Sequence, residues 1–234
     1  MKAILLAAGV GTRIINDIGQ MPKSMVEVQG KPLLLHTVEL LQKNHMEIVI
    51  ITGFKHRVIE EALKDYSVTI YYNPFYAVTN SIGSLWYARE EFNTKEIFIA
   101  NADVYYTQEL LDKIFAAEHD NFLLSDKTKA DSGDYFFLTE NNLLKKFGKE
   151  LARDERNCEY VGIGVLKNQW VKIFCDRLCS LIEEGHYNLW WENVLYSMVG
   201  EKAVYTVDVD GCFWSEVDTI EDYKRVLEFC EKNR

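Results

Sequence analysis

Leu5-Leu6-Ala7-Ala8-Gly9-Val10-Gly11-Thr12-Arg13, followed by Pro22-Lys23, is the stretch that decides how this chain is read. The apolar run over 3–7 predicts a buried strand, which feeds directly into a glycine turn. Two glycines and two alanines let backbone N–H groups come close to a phosphate or a base. Arg13 brings a fork of donors suited to phosphate oxygens, and Lys23 adds a mobile point charge. A dinucleotide fingerprint G-x-G-x-x-G would need glycine where Ile14 stands, and no partner acid follows. The P-loop pattern G-x-x-x-x-G-K-[ST] is absent. The bland alternative is a glycine-rich turn with an incidental arginine.

Outward from this turn, strand and helix patterns alternate. A helix is predicted over 32–44, with Leu33, Leu34, Val38 and Leu41 on one face. Strands follow over 48–52, 68–72 and 97–100, with helices over 57–66, 84–92 and 107–118, the last with Thr107 as N-cap. Continuous apolar strands between helices predict an α/β fold with a parallel sheet covered on both faces. Such sheets bind ligands beyond the carboxyl ends of their strands. The second half is less regular. It reads as strands over 122–125, 135–138, 161–166 and 203–207, and helices over 169–184, 192–198 and 219–230. Thr219-Ile220-Glu221-Asp222 is a capping pattern opening the last helix. The polar stretches 126–133 and 149–157 read as loops.

Composition narrows the function. The chain has 234 residues, 26 Lys+Arg against 36 Asp+Glu, and a net charge of −10. That balance, with no basic run, disfavours nucleic acid and anionic membranes as partners. It leaves room for an anionic small ligand held in a local cationic pocket. Five cysteines without a C-x-x-C pair argue against a disulfide framework and a structural zinc site, and imply a reducing, cytoplasmic compartment. No apolar run approaches the roughly 20 residues of a membrane helix. The apolar start of the chain is too short for a signal peptide and is read as a strand. None of the five histidines falls in a motif.

L-A-A-G-x-G-x-R with a following P-K resembles the nucleotidyltransferases that join a nucleoside triphosphate to a phosphorylated small molecule, and the resemblance runs the whole length. It implies one domain over 1–234 with a Rossmann-like, GT-A-like fold and a mixed, mostly parallel central sheet. The nucleotide-binding half would cover about 1–125 and the acceptor-binding half about 126–234. Asn101-Ala102-Asp103 follows a strand where the family places a metal-binding aspartate. Ser215-Glu216-Val217-Asp218 looks like the terminal acidic motif that supplies the second metal ligand. Asn73-Pro74-Phe75-Tyr76 with Thr79-Asn80-Ser81-Ile82-Gly83-Ser84-Leu85 resembles cytidylyltransferases acting on phosphocholine, aminoethylphosphonate and similar head groups, and Asn188-Leu189-Trp190-Trp191-Glu192-Asn193 resembles the bacterial CTP:phosphocholine cytidylyltransferases. Asn16-Asp17-Ile18 stands where the family often has Pro-Leu-Thr, with the spacing kept.

By that resemblance Lys23 and Arg13 are catalytic, and Mg²⁺ is held by Asp103 and Asp218. Leu6, Ala8, Gly9, Gly11, Thr12, Arg13, Lys23, Asn80, Ser84 and Ala102 would bind CTP. Tyr135, Trp190 and Glu216 would hold the acceptor. Phosphocholine is the favoured acceptor. 2-Aminoethylphosphonate, another phosphorylated amine or a sugar 1-phosphate is the alternative within the same chemistry. A non-catalytic nucleotide-binding module is the alternative outside it. The family also allows a homodimer. Each residue has a plainer reading as well: a turn-capping loop aspartate for Asp103, an aspartate at a helix start for Asp218, a cap of the 84–92 helix for Ser84, and core packing for either tryptophan. Core packing is preferred for Trp191 and the pocket for Trp190.

Overall fold

The computed structural model describes residues 1–11 and 21–233. Among them the strands run β1 (Lys2–Ala7), β2 (Glu27–Val28), β3 (Lys31–Pro32), β4 (Glu47–Thr52), β5 (Thr69–Tyr72), β6 (Glu96–Asn101) and β7 (Val104–Tyr106). They continue as β8 (Asn121–Asp126), β9 (Phe136–Glu140), β10 (Leu143–Gly148), β11 (Cys158–Lys167), β12 (Tyr205–Asp208) and β13 (Trp214–Glu216). Nine of them form a mixed sheet in the order β5-β4-β1-β6-β11-β8-β12-β10-β9. The parallel pairings join β5, β4, β1 and β6, and separately β8 and β12. β11 runs antiparallel to both β6 and β8 and links the two halves.

Side-chain alternation sends neighbouring residues to opposite faces of this sheet. Ala3, Leu5, Ile48, Ile50, Phe98 and Ala100 pack on one face against helices Leu33–Lys43, His56–Leu63 and Gln108–Ala116. Ile4, Val49, Ile51, Ile97 and Ile99 pack on the other against helices Ser81–Tyr87, Gln169–Glu183 and Asn193–Tyr196. Both faces are apolar because both are covered, which is why these strands read as unbroken hydrophobic runs.

Register places the site. Leu6 lies opposite Ile51 and Asn101, so β1, β4 and β6 end at the same level. Their exits are tied together: Ala102 N–H donates to the Leu6 carbonyl (3.0 Å) and Phe54 N–H to the Ala8 carbonyl (3.0 Å). Beyond them, β7 pairs antiparallel with β13, with Glu216 opposite Val104. Val217 N–H then reaches the Asp103 carbonyl at 2.9 Å.

Several elements differ from the sequence expectation. The 84–92 helix begins at Ser81 and breaks into a 3-10 turn over Arg89–Phe92. Thr107 holds the N-cap position of its helix without a side-chain cap bond. β10 has no counterpart in the sequence reading, because Lys145 and Lys146 interrupt its apolar pattern while β9 and β12 supply its pairing. β7 and β13 are three residues each, too short to show a period. The final helix, Ile220–Lys232, carries the expected cap. Thr219 Oγ1 accepts from Asp222 N–H, and Asp222 Oδ2 accepts from Thr219 N–H at 2.9 Å. Thr219→Ala should therefore cost about 1 kcal/mol of stability, read as a lower urea midpoint at unchanged m-value.

Candidate active site

A cavity of about 470 Å³ opens at the carboxyl ends of β1 and β6. Leu6, Ala8, Gly9, Gly11 and Ala102 line its first wall, where β1 turns out of the sheet. Gly11 has φ +67, and a Cβ there would collide with the Lys23 side chain. The glycine thus serves two ends, a left-handed turn and a path for the lysine. Thr12 and Arg13 lie outside the described residues.

Lys23 opens a 3-10 turn (Lys23–Met25), and its ammonium lies between two carboxylates. It meets Asp103 Oδ2 at 2.6 Å and also pairs with Asp218 Oδ1. Asp103, Glu216 and Asp218 offer carboxylate oxygens that all lie within 4.8 Å of one another. The β7–β13 pairing brings the first to the other two, and the Thr219 cap secures the chain just past Asp218. An all-oxygen set of three carboxylates fits a hard divalent cation that keeps waters and phosphate oxygens as its remaining ligands. Glu216, expected in the acceptor pocket, therefore stands at the junction of that pocket and this acidic cluster.

The second wall comes from the segment around Asn80. Asn80 is the N-cap of helix Ser81–Tyr87, its Oδ1 accepting from Ser81 N–H at 2.8 Å. Ser84 is buried inside that helix rather than capping one, and its Oγ accepts from Asn73 Nδ2 at 3.0 Å. Having accepted that bond, the Ser84 hydroxyl keeps its own proton to donate. Asn73 also holds Thr79 Oγ1 at 3.0 Å and accepts from Phe75 N–H at 2.8 Å. These bonds hold the 73–84 segment as one piece.

Aromatic rings close the far end. Tyr135 meets Trp190 edge to face, with centroids 5.7 Å apart and planes at 80°. Tyr196 stacks parallel to Tyr135 at 5.9 Å, and Tyr160 lies edge-on at 6.3 Å. Trp190 is 42% exposed, whereas Trp191 is fully buried and donates Nε1–H to Asn101 Oδ1 at 3.2 Å. Trp190 thus lines the cavity while its neighbour Trp191 packs in the core. Their loop is bolted to the second wall: Asn80 N–H donates to the Tyr187 carbonyl (3.0 Å) and Trp191 N–H to Ser81 Oγ (2.8 Å).

Sequence reasoning missed Glu192, Tyr160 and Tyr196, which all line the cavity. Burial pushes the Glu192 carboxyl from 4.5 up to about 7, and Tyr135 up to about 12. The Glu192 motif was in view, but its burial depends on packing against β11 and β6, which no local pattern encodes.

Comparison with known proteins agrees with this geometry. The MobA-like NTP transferase domain model matches residues 3–179, and the chain belongs to this nucleotidyltransferase family. A choline-phosphate cytidylyltransferase of Streptococcus pneumoniae is 26% identical, covering 97% of this chain and 97% of its own length. A CTP:phosphoglutamine cytidylyltransferase of Campylobacter jejuni is 22% identical, covering 97% of this chain and all of its own. The solved CTP:phosphocholine cytidylyltransferase from Streptococcus pneumoniae shares the fold with a TM-score of 0.80 at 22% identity, covering 98% of both chains. The inositol-1-phosphate CTP transferase from T. maritima follows at 0.79 and 23%, covering 97% of this chain and 94% of its own. No helix among the described residues is long and apolar enough to cross a membrane.

The Glu192 shift has a pH signature. Between 4.5 and about 7 the unfolded chain has lost this proton and the native protein has kept it. Native protein then binds more protons, so this residue's contribution lowers stability as pH rises through that window. The Tm of Glu192→Gln minus that of wild type should grow from pH 5 to pH 7.5, measured without nucleotide or metal.

Proposed function

We propose that this chain is a Mg²⁺-dependent cytidylyltransferase that moves CMP from CTP to phosphocholine, giving CDP-choline and pyrophosphate. The observation that carries the reading is that the Tyr135–Trp190 pocket opens into the same cavity as Lys23, Asp103 and Glu216. Relatives named as CTP-using enzymes support the nucleotide. A trimethylammonium has no N–H to donate, so aromatic faces and diffuse negative charge must hold it.

The acceptor's phosphate oxygen attacks the α-phosphorus of CTP in line, and pyrophosphate leaves. No general base is needed, because a phosphate with a second pKa of about 6 is mostly dianionic at neutral pH. Catalysis is then positioning and charge neutralisation. The backbone of the Gly9–Gly11 turn binds the triphosphate, with Thr12 and Arg13 completing it on this reading. Lys23, released from its carboxylates when the nucleotide enters, stabilises the α-phosphate as its charge grows. Asp103, Asp218 and Glu216 would hold Mg²⁺, which would supply neutralisation of phosphate charge. Asn80 and Ser84 face the base. The nucleotide side draws mainly on 1–125 and the acceptor side on 126–234, within one domain.

Pyrophosphate release with CTP and Mg²⁺ across phosphocholine, phosphoethanolamine, 2-aminoethylphosphonate and glucose 1-phosphate tests this. Turnover with phosphocholine is expected. Turnover only with another acceptor keeps the chemistry and overturns the acceptor, and silence with all four overturns the reading. Lys23→Ala should lower kcat by about 100-fold or more. Trp190→Ala should raise the KM for acceptor roughly 2- to 30-fold, with that for CTP little changed.

A further inference from the structure

Glu192 is a buried carboxylate for which the reaction above has no use. Only 5% of it is exposed, and it forms part of the cavity wall. It sits at the start of helix Asn193–Tyr196, yet its side chain makes no cap bond there. Among the described residues, no Lys, Arg or His forms an ion pair with it, although other acids around the cavity have such partners. Asp134 meets Lys149 at 2.6 Å, Glu159 meets Lys129 at 3.9 Å, and Asp103 and Asp218 share Lys23. The groups packed on Glu192 from the neighbouring strands are neutral: the Tyr160 hydroxyl from β11 and the Asn101 amide from β6. Burial first, and the nearby Glu192 carboxylate second, raise the hydroxyls of Tyr135, Tyr160 and Tyr196 above the usual tyrosine range.

A carboxylate taken out of water without a cation is costly, and folded proteins retain such groups where something else compensates. Among the described residues only neutral hydrogen-bonding groups, Tyr160, Asn101 and its own backbone, offset that cost, and no cation does. The compensating charge must arrive from the cavity, and the place where it would arrive is walled by tyrosines suited to an alkylammonium.

We propose that Glu192 is the counter-ion of the acceptor's cationic head group, and thereby the residue that selects a charged acceptor over a neutral one. This rests on the acceptor reading given above. On entry the ammonium and the carboxylate neutralise each other out of water, and the aromatic rings supply contact without choosing the charge. Shape is read by Tyr135 and Trp190, and charge by Glu192.

The test compares phosphocholine with 3,3-dimethylbutyl phosphate, its uncharged carbon isostere, in wild type, Glu192→Gln and Glu192→Asp. Wild type should show a KM for the isostere about 30-fold or more above that for phosphocholine, the size expected when a buried charge loses its partner. Glu192→Gln should close that gap by raising the phosphocholine KM, with the KM for CTP unchanged and Tm in the absence of ligands equal or higher. Glu192→Asp, which keeps the charge, should retain part of the discrimination. If wild type uses both acceptors equally, or Glu192→Gln still discriminates, this inference falls and the cytidylyltransferase reading stands. The inference also falls if Glu192→Gln weakens CTP and acceptor alike, which marks a structural role. If wild type takes only glucose 1-phosphate, the acceptor reading fails and this inference falls with it. The wild-type comparison needs no variant, so the proposal stays testable even if the substitutions fold poorly.

Discussion

Three carboxylates with oxygens inside 4.8 Å repel one another strongly, and that repulsion is the constraint around which this end of the molecule is arranged. A cation has to stand among them. Lys23 does so, meeting Asp103 and Asp218 together. The lysine needs room for its stem, so Gly11 carries no Cβ. The acids need a fixed approach, which the β7–β13 pair and the Val217 to Asp103 backbone bond provide. On the function proposed above, a divalent ion that took the carboxylates would free the lysine for a phosphate.

The 80–82 segment and the 187–191 loop, which line the cavity from two sides, are held as one unit by hydrogen bonds rather than by charge. Bonds from Asn80, Ile82 and Trp191 cross between the 80–82 segment and the 187–191 loop. Trp191 is buried beneath that loop and anchored on Asn101, two residues before Asp103. A shift of the 187–191 loop is therefore felt at both the 80–84 wall and the acidic cluster.

Much of this was legible beforehand. β1, β4 and β6 are buried on both faces, so each shows an unbroken apolar run, and the glycine turn follows at once. Thr219 and Asp222 stand at the spacing of a capping box, which is a local interaction and hence readable. β10 was not legible, because a strand carrying Lys145 and Lys146 is defined by its neighbours and not by its own pattern. Ser84 looked like a cap because it precedes an apolar stretch, but the cap is Asn80, whose helix starts earlier. Glu192 could be seen but not weighed, because one glutamate in an aromatic motif looks the same whether it is solvated or enclosed.

By itself, the sequence determined the alternation of covered strands and helices, the small-residue turn with its lysine, and the chemistry available to the site. These depend on hydrophobic period, residue size and residue type, all of which are local. Tertiary structure alone decided that Glu216 joins Asp103 and Asp218, that Lys23 pairs with two of them, and that Glu192 is buried without a cationic partner among the described residues. Charge proximity and desolvation depend on distances between residues far apart in the chain, and only the folded sheet sets those distances.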